Sequence, residues 1–303
     1  MLHCTFLILL AVCLSSWLGV VQALSFDLPG PNNVVGVIQR VISQHYEPIA
    51  DLGRRYEIGV YEMIEANPEV DPWAPEPGST IIIPTRFVLP SGPKEGIVIN
   101  LAEMRLYYYH PKEAKVSTFP VGIGKPGWPT PTGHTTITAK REHPYWHVPQ
   151  SIRAGHAKNG RLLPTVVPPG PTNPLGEYAM NLGLPGYLIH GTIHPGGIGM
   201  RSTHGCIRMH PEHIEWLFKH VGLGTQVRIV HEPLKIGLVN NDIVLEAHLP
   251  ISDAKYKGSN SVDALVNTIH RVIGKITPAI HWDRAERLIR TGSGIPEAIG
   301  QIR

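Results

Sequence analysis

The chain reads as mainly β, with a β-sandwich at its centre, a small βααβ unit ahead of it and a short α+β region behind it. Three observations lead there. Short apolar or aromatic runs recur through the middle of the chain, each closed by turn-forming residues, and the 303 residues include 31 Gly and 29 Pro. Helical spacing of apolar residues is confined to short stretches before the central region, one after its last motif, and the C-terminal end. Hydrophobic residues make up 42% of the chain, which is enough for buried cores, and the length corresponds to about two domains.

The first 23 residues contain no Lys, Arg, Asp or Glu, and residues 6–21 are apolar apart from small or weakly polar side chains. The run closes on Val21-Gln22-Ala23, whose small-x-small character matches a signal-peptidase site, so residues 1–23 are expected to be a cleaved signal peptide. An uncleaved anchor is the competing reading, but 16 apolar residues fall short of the roughly 20 that span a bilayer. Lipidation at Cys13 is not expected, because Val12 is bulky where a small residue normally precedes the modified cysteine. The body of the protein is therefore expected to be exported. Its net charge of +3 is scattered along the chain, which argues against a nucleic-acid partner and tolerates a polyanionic wall as a neighbour.

After the leader, Tyr46-Glu47-Pro48-Ile49 opens two short helical stretches, residues 49–56 and 58–67, and Thr80-Ile81-Ile82-Ile83-Pro84 closes the unit as a strand. Residues 44–84 resemble a LysM domain, a small fold associated with binding glycans that contain N-acetylglucosamine. Glycan binding and a purely packing role are both compatible with the sequence.

The central region is built from strands at residues 97–100, 105–109, 115–121, 135–140 and 226–230, separated by Gly/Pro turns. The Pro-rich stretch 163–174 is too long and too turn-rich for regular structure, and is expected to be a surface loop beside a substrate cleft or a tolerated insertion.

Cys4 and Cys13 lie in the leader, so cleavage leaves Cys206 as the single cysteine. A lone thiol in an oxidising compartment risks unwanted oxidation, so its presence points to chemistry. It sits in Ser202-Thr203-His204-Gly205-Cys206-Ile207-Arg208-Met209, shortly before a helix that Pro211 opens and that carries Ile214, Leu217 and Phe218 on one face. Upstream, Tyr187-Leu188-Ile189 reads as a buried strand that ends on His190. Backbone amides in the Gly-containing bend are free to face a developing oxyanion, and nearby positive charge lowers a thiol's pKa. A thiolate with an imidazole base is the minimum equipment for acyl transfer through a thioester.

A histidine followed by glycine, then a gap, then Ser/Thr-His-Gly-Cys with a polar residue two positions on, with 16 positions from His190 to Cys206, resembles the signature of the L,D-transpeptidases of the YkuD type. Thr130-Pro131-Thr132-Gly133 and Asn173-Pro174-Leu175-Gly176 are similar to segments of the periplasmic branch of that family. The resemblance covers residues 96–231 and implies a catalytic domain over residues 95–231 with a sandwich fold, located in the periplasm. It implies that Cys206 attacks the third residue of a peptidoglycan stem tetrapeptide, usually meso-diaminopimelate, and expels D-alanine. An amine then resolves the thioester. His190 matches the base, the Gly191 backbone carbonyl its orienting partner, and the backbone amides of Gly205 and Cys206 the oxyanion hole. The orienting group need only hold the imidazole tautomer, so a carbonyl suffices.

Thr203 and His204 are read as shaping the loop. Arg208 is read either as a bidentate ligand for a substrate carboxylate or as a loop-stabilising ion pair. The 17 histidines include His190, His194, His204 and His210 around the cysteine, but the intervening Gly191, Pro195, Gly196 and Gly197 disfavour a helical pair of ligands. No metal and no cofactor are expected.

Residues 232–303 form the C-terminal region: a hairpin over residues 234–249 turned at Asn240-Asn241, a helix that carries Val262, Leu265, Val266, Ile269, Val272, Ile273 and Ile276, and a second helix at residues 283–290 ended by Gly292. The expected partners are peptidoglycan stem peptides and glycan strands, with a lipoprotein lysine as an alternative acceptor and carbapenem-type β-lactams as inhibitors. Water as acceptor would make the enzyme an L,D-carboxypeptidase, and a non-catalytic wall-binding protein is the reading from outside enzymology.

Overall fold

The computed structural model describes residues 23–30, 32–274 and 276–302. Residues 1–22 of the expected leader, with Cys4 and Cys13, lie outside them. From Leu24 the chain enters a sheet at once: β1 (Leu24–Asp27) runs antiparallel to residues 115–118. It then forms β2 (Val34–Gly36) and β3 (Gln39–Ile42). Helices α1 (Ile49–Arg55) and α2 (Val60–Ala66) follow, then β4 (Thr80–Ile83), which pairs antiparallel with β3, and β5 (Arg86–Val88), which pairs with β2. The βααβ unit thus opens at Gln39, ahead of residue 44 where the sequence reading began it. Pro48 starts α1 with a pre-set φ, and Asp51 at one end with Arg54 and Arg55 at the other complement the helix dipole. At α2, Glu62 reaches back to accept the Gly59 N–H at 2.7 Å, which satisfies one of the unpaired amides of the first turn.

The centre comprises β6 (Gly96–Asn100), β7 (Arg105–Tyr109), β8 (Lys115–Pro120), β9 (Ile123–Gly124), β10 (Gly133–Glu142), β11 (Trp146–His147), α3 (Gln150–Ala157), β12 (Val166–Val167), β13 (Tyr178–Leu182), β14 (Leu188–His190), β15 (Arg201–Thr203), β16 (Ile207–Arg208), α4 (Pro211–His220) and β17 (Gln226–Val230). Nine strands form one curled sheet in the order β1-β8-β7-β6-β17-β10-β13-β14-β16. The long strand β10 makes the corner: residues 133–136 pair with β17, residues 137–142 pair with β13, and the register shifts between Ile137 and Ala139. A strand that bulges and serves two layers is how a sandwich turns a corner.

Side-chain alternation divides this sheet between two cores. Ile97, Ile99, Leu106, Tyr108 and Phe119 face one core, which α4 closes with Ile214 and Leu217. Val98, Tyr107, Tyr109 and Val116 face the other, which they share with Ile49, Met63, Ile81 and Phe87 of the N-terminal unit. Strand β7 is therefore buried on both faces, which explains its uninterrupted Leu-Tyr-Tyr-Tyr run. It also carries the fully buried Arg105, whose guanidinium meets Glu62 of α2 through Nε–Oε1 at 2.7 Å and Nη2–Oε2 at 2.8 Å and the Glu57 carbonyl at 2.9 Å. Each charge is left with several partners, as burial of an ion pair demands.

The C-terminal part is a second sheet, in the order β18-β19-β21-β20, formed by β18 (Leu234–Val239), β19 (Asp242–Ala247), β20 (Ala279–Ile280) and β21 (Glu297–Gln301). The helices α5 (Val262–Ile273) and α6 (Trp282–Thr291) cover it with Leu265, Ile269, Ala285 and Leu288. Asn240 takes the left-handed conformation the hairpin requires. Helix α5 starts at a Ser261 cap and stops at Gly274, whose φ is +69°, so Ile276 falls outside the helix and is exposed, contrary to the sequence reading. Where the parts meet, the Lys235 ammonium lies 2.7 Å from both Glu103 and Glu246, and Glu246 also meets His248 at 2.8 Å and the Val88 amide at 2.5 Å. The carboxylates and imidazole of this cluster already surround a cation, supplied by the lysine. No helix among the described residues is long and apolar enough to cross a membrane.

Candidate active site

Strand β14 lies between β13 and β16, and it delivers His190 at its C-terminal end, buried. The imidazole Nδ1 is 2.6 Å from the Gly191 carbonyl oxygen. A carbonyl can only accept, so Nδ1 carries the proton and Nε2 is left as the basic nitrogen. The Asn173-Pro-Leu-Gly turn braces this segment. Gly176, at φ +68°, approaches so closely that a Cβ would stand 2.8 Å from the Thr192 nitrogen. Asn173 is fully buried and donates to the Pro144 carbonyl at 2.7 Å, while its Oδ1 accepts from the Leu175 amide at 3.0 Å.

Cys206 stands in the loop between β15 and β16, half-buried, with Sγ 3.7 Å from the Gly186 carbonyl. No hydrogen bond joins it to His190 among the described residues; the two groups line the same cleft, and catalytic contacts of this kind commonly tighten only with substrate. The loop is held from several sides. Thr203 Oγ1 donates to the Cys206 carbonyl at 2.7 Å and accepts from the Gly205 amide at 3.1 Å. Thr130 donates to the Gly205 carbonyl at 2.8 Å and accepts from the Gly124 amide at 3.0 Å. Strand β9 ties both arms of the loop: Gly122 exchanges hydrogen bonds with Arg208, while Ile123 and Lys125 donate to Met200 and Thr203.

These contacts bear on one expectation from the sequence. The Gly205 amide, expected to face an oxyanion, donates to Thr203 Oγ1 in the resting loop. Among the described residues the Cys206 amide has no hydrogen-bond acceptor. Gly205 serves the loop through its conformation: φ is +105°, and a Cβ there would stand 2.9 Å from the Tyr187 ring.

The electrostatics bear on a second. Burial raises the Cys206 thiol above its ordinary value, and the Leu188 amide and the Arg208 charge only partly offset this. Burial, reinforced by Arg208, pushes His190 down to about 4. Burial in the enclosed site thus works against the charged form of both groups.

His204 is half-buried and packs edge-on against Trp128 with ring centroids 4.7 Å apart. Burial and Lys125 lower its pKa. Among the described residues Arg208 forms no ion pair, and its buried Nε has no hydrogen-bond partner.

The cleft is a cavity of about 620 Å³. Thr203, His204, Cys206, His190 and Arg208 form one wall; Trp146, His147, Ile152, His156, Arg161 and Leu163 form another. The second wall is an arm of the chain in which β11 pairs antiparallel with β12 beside α3. The stretch 163–174 was expected to lack regular structure, but Val166–Val167 is a strand within it, and its residues do line the cleft. The sequence reading missed α3, and it named Thr130 in a motif without its role as a buttress. Helix α3 buries only Ile152, which leaves no periodic signal, and the link from Thr130 to Gly205 crosses 75 positions.

Residues 94–229 match a family described as the L,D-transpeptidase catalytic domain, YkuD. Among curated proteins, the chain is 37% identical over 288 residues to a Salmonella typhimurium protein named "Probable L,D-transpeptidase ErfK/SrfK", covering 93% of each chain. It is 36% identical over 287 residues to the Escherichia coli "Probable L,D-transpeptidase YbiS", covering 91% of this chain and 92% of that one. With the E. coli "Probable L,D-transpeptidase YcfS" the identity is 44% over 207 residues, 67% of this chain and 65% of the relative.

Proposed function

The chain belongs to the L,D-transpeptidase family, a family of cysteine acyltransferases, and from that premise we propose that Cys206 is its nucleophile, His190 its general base and a peptidoglycan stem tetrapeptide its acyl donor. The observation that carries the reading is the pairing of a buried His190, fixed through Nδ1 by the Gly191 carbonyl, with the half-buried Cys206 along one cleft.

With both groups neutral at rest, proton transfer accompanies attack. His190 Nε2 takes the thiol proton as Sγ bonds to the carbonyl carbon of the third stem residue. The carbonyl π electrons move to oxygen, and the Cys206 amide stabilises the negative charge that develops there. As the tetrahedral intermediate collapses, the C–N bond breaks, and the imidazolium returns its proton to the departing D-alanine amine. An acceptor amine then attacks the thioester and gives its proton to His190. The sulfur leaves, takes that proton back, and the free thiol is restored. Arg208, a cation on the cleft wall with no ion-pair partner among the described residues, is suited to the carboxylate on the diaminopimelate side chain of the stem.

The acceptor is a second stem, giving a 3,3-crosslink, or a lipoprotein lysine. The rest of the reading concerns delivery. Residues 1–23 act as a signal peptide for export to the periplasm, residues 95–231 form the catalytic domain, and residues 232–303 form a C-terminal region. The βααβ unit is LysM-like and contacts glycan strands, with the exposed Tyr46 and Trp73 in its loops available for stacking on sugars. Carbapenem-type β-lactams acylate Cys206.

Purified enzyme incubated with tetrapeptide muropeptides, with and without a lysine-ended acceptor peptide, tests this by mass spectrometry. Dimers or peptide conjugates with loss of D-alanine are expected, together with their absence for Cys206→Ala. Tripeptide alone would replace transfer with hydrolysis, and full activity in Cys206→Ala would remove the nucleophile.

A further inference from the structure

We propose that the C-terminal part of the chain belongs to the catalytic apparatus, with Asp253 a positioning residue that holds Arg201 and, through it, the loop carrying Cys206. The inference rests on the reading of Cys206 as the nucleophile.

Arg201 begins β15, five positions before Cys206. Its guanidinium donates to three acceptors: Nε to the Gly124 carbonyl at 3.1 Å, Nη1 to Ser252 Oγ at 3.0 Å and Nη2 to Asp253 Oδ1 at 2.8 Å. Gly124 belongs to the strand that ties both arms of the nucleophile loop, and its amide donates to Thr130, which holds the Gly205 carbonyl. A short hydrogen-bonded path therefore runs from Asp253 through Arg201, Gly124 and Thr130 to the residue before the nucleophile. Ser252 and Asp253 follow the hairpin of the second sheet and are themselves fixed nearby: Tyr256 stacks on His231 with ring centroids 3.7 Å apart, and the Ile251 amide lies 3.4 Å from His231 Nε2.

The carboxylate has no other evident task. Asp253 precedes the single turn Ala254–Tyr256, yet its side chain makes no cap hydrogen bond to that turn. Its second oxygen is buried without a partner among the described residues, and the side chain is 17% exposed. A carboxylate taken out of water with one oxygen unsatisfied is a poor way to gain stability. The fork geometry of the guanidinium instead fixes direction, and direction is what a nucleophile loop requires.

The test measures kcat and KM with a tetrapeptide donor, thermal midpoints, and the pH dependence of Cys206 alkylation by iodoacetamide for the full chain carrying Asp253→Ala, Arg201→Ala, both together, Asp253→Asn or Arg201→Lys. A displacement of the nucleophile near 1 Å costs on the order of 10²-fold, so kcat should fall about 10- to 100-fold in the alanine variants. KM should stay within about twofold, and the double variant should be no worse than the worse single one, because both remove one coupled contact. The alkylation profile should shift equally in all three, and Arg201→Lys should restore part of kcat. Wild-type kcat in well-folded Asp253→Ala, or losses that multiply in the double variant, would overturn the proposal. If the alanine variants fail to fold, Asp253→Leu, Arg201→Met and the two together replace them, and the same two criteria decide. Absence of turnover in the wild type would instead remove the transferase reading, while the alkylation profiles would still report whether Asp253 positions the thiol.

Discussion

His190 and Arg208 are register partners across the parallel strands β14 and β16, so the candidate base and a guanidinium stand side by side on one edge of the sheet. Parallel pairing turns side chains at matching register to the same face, which brings the cation's field onto the imidazole. Burial and that field together hold His190 at about 4. The cleft therefore keeps the candidate base neutral across the range in which an ordinary histidine titrates.

This sets the pH profile of acylation. His190 must be neutral to take the thiol proton, so the rate of carbapenem acylation is lost as pH falls through about 4, and it stays level above that until the thiol itself ionises. In Arg208→Gln the imidazole loses a neighbouring cation, its pKa rises, and the acid limb moves to higher pH. Stopped-flow acylation rates across pH measure both. A wild-type limb near the ordinary histidine value of 6.5 would contradict the neutral resting pair.

Gly205→Ala tests the shape of the loop. At φ +105° an L side chain is strained, and the added Cβ would stand 2.9 Å from Tyr187. The strain is of order 1–3 kcal/mol, and relieving it moves the nucleophile. We expect a thermal midpoint lowered by a few degrees and acylation slowed by about 10²-fold. Calorimetry and carbapenem acylation are the measurements; unchanged acylation would mean that the loop tolerates a right-handed conformation.

Thr203 makes a parallel case through hydrogen bonding alone. Thr203→Val keeps the shape but leaves the buried Gly205 amide and the Cys206 carbonyl without their partner, which costs about 1–3 kcal/mol. Thr203→Ser retains the hydroxyl and should stay near wild type in stability. Denaturant titrations of the two variants separate the hydroxyl from the methyl, and equal losses in both would assign the effect to packing.

The legible parts of the fold were those where chemistry and local pattern coincide. Residues 105–109 and 226–230 announce strands through apolar and aromatic density, and Leu265, Ile269 and Ile273 announce a helix through spacing. Strand β13 was missed because Tyr-Ala-Met-Asn-Leu interrupts the apolar run with Asn181, a partly exposed residue whose Oδ1 accepts from Arg141. Strand β1 was missed because it starts directly at the end of the expected leader. The candidate nucleophile and base were readable because Thr-His-Gly-Cys is a compact motif. The contacts that hold them were not, since Thr130 to Gly205 and Arg201 to Asp253 join residues 75 and 52 positions apart. The fate of the Gly205 amide was equally hidden, as it depends on the rotamer of Thr203. The net direction of the thiol's pKa needed the depth of the cleft, which no local sequence reports.

The buried cluster between the three parts of the chain gives a prediction about stability and pH. Burial opposes a charged His248, but hydrogen bonds to Glu246 and Glu65 outweigh it and raise the imidazole to about 10. A folded-state pKa above the unfolded value means that the native state holds the proton more tightly. The stabilisation is fully present below about 6.5 and is lost as pH rises through about 10. Lys94 works in the opposite sense. Burial lowers it to about 8, so stability is recovered as pH rises above that value. The informative quantity is thus the difference between wild type and His248→Gln, which removes only the first contribution. Urea midpoints measured between about pH 6 and about pH 10 should fall more steeply with pH in the wild type than in the variant, the two curves converging at the alkaline end. Parallel curves would show that His248 is already neutral in the fold, and that Lys235 alone balances Glu103 and Glu246.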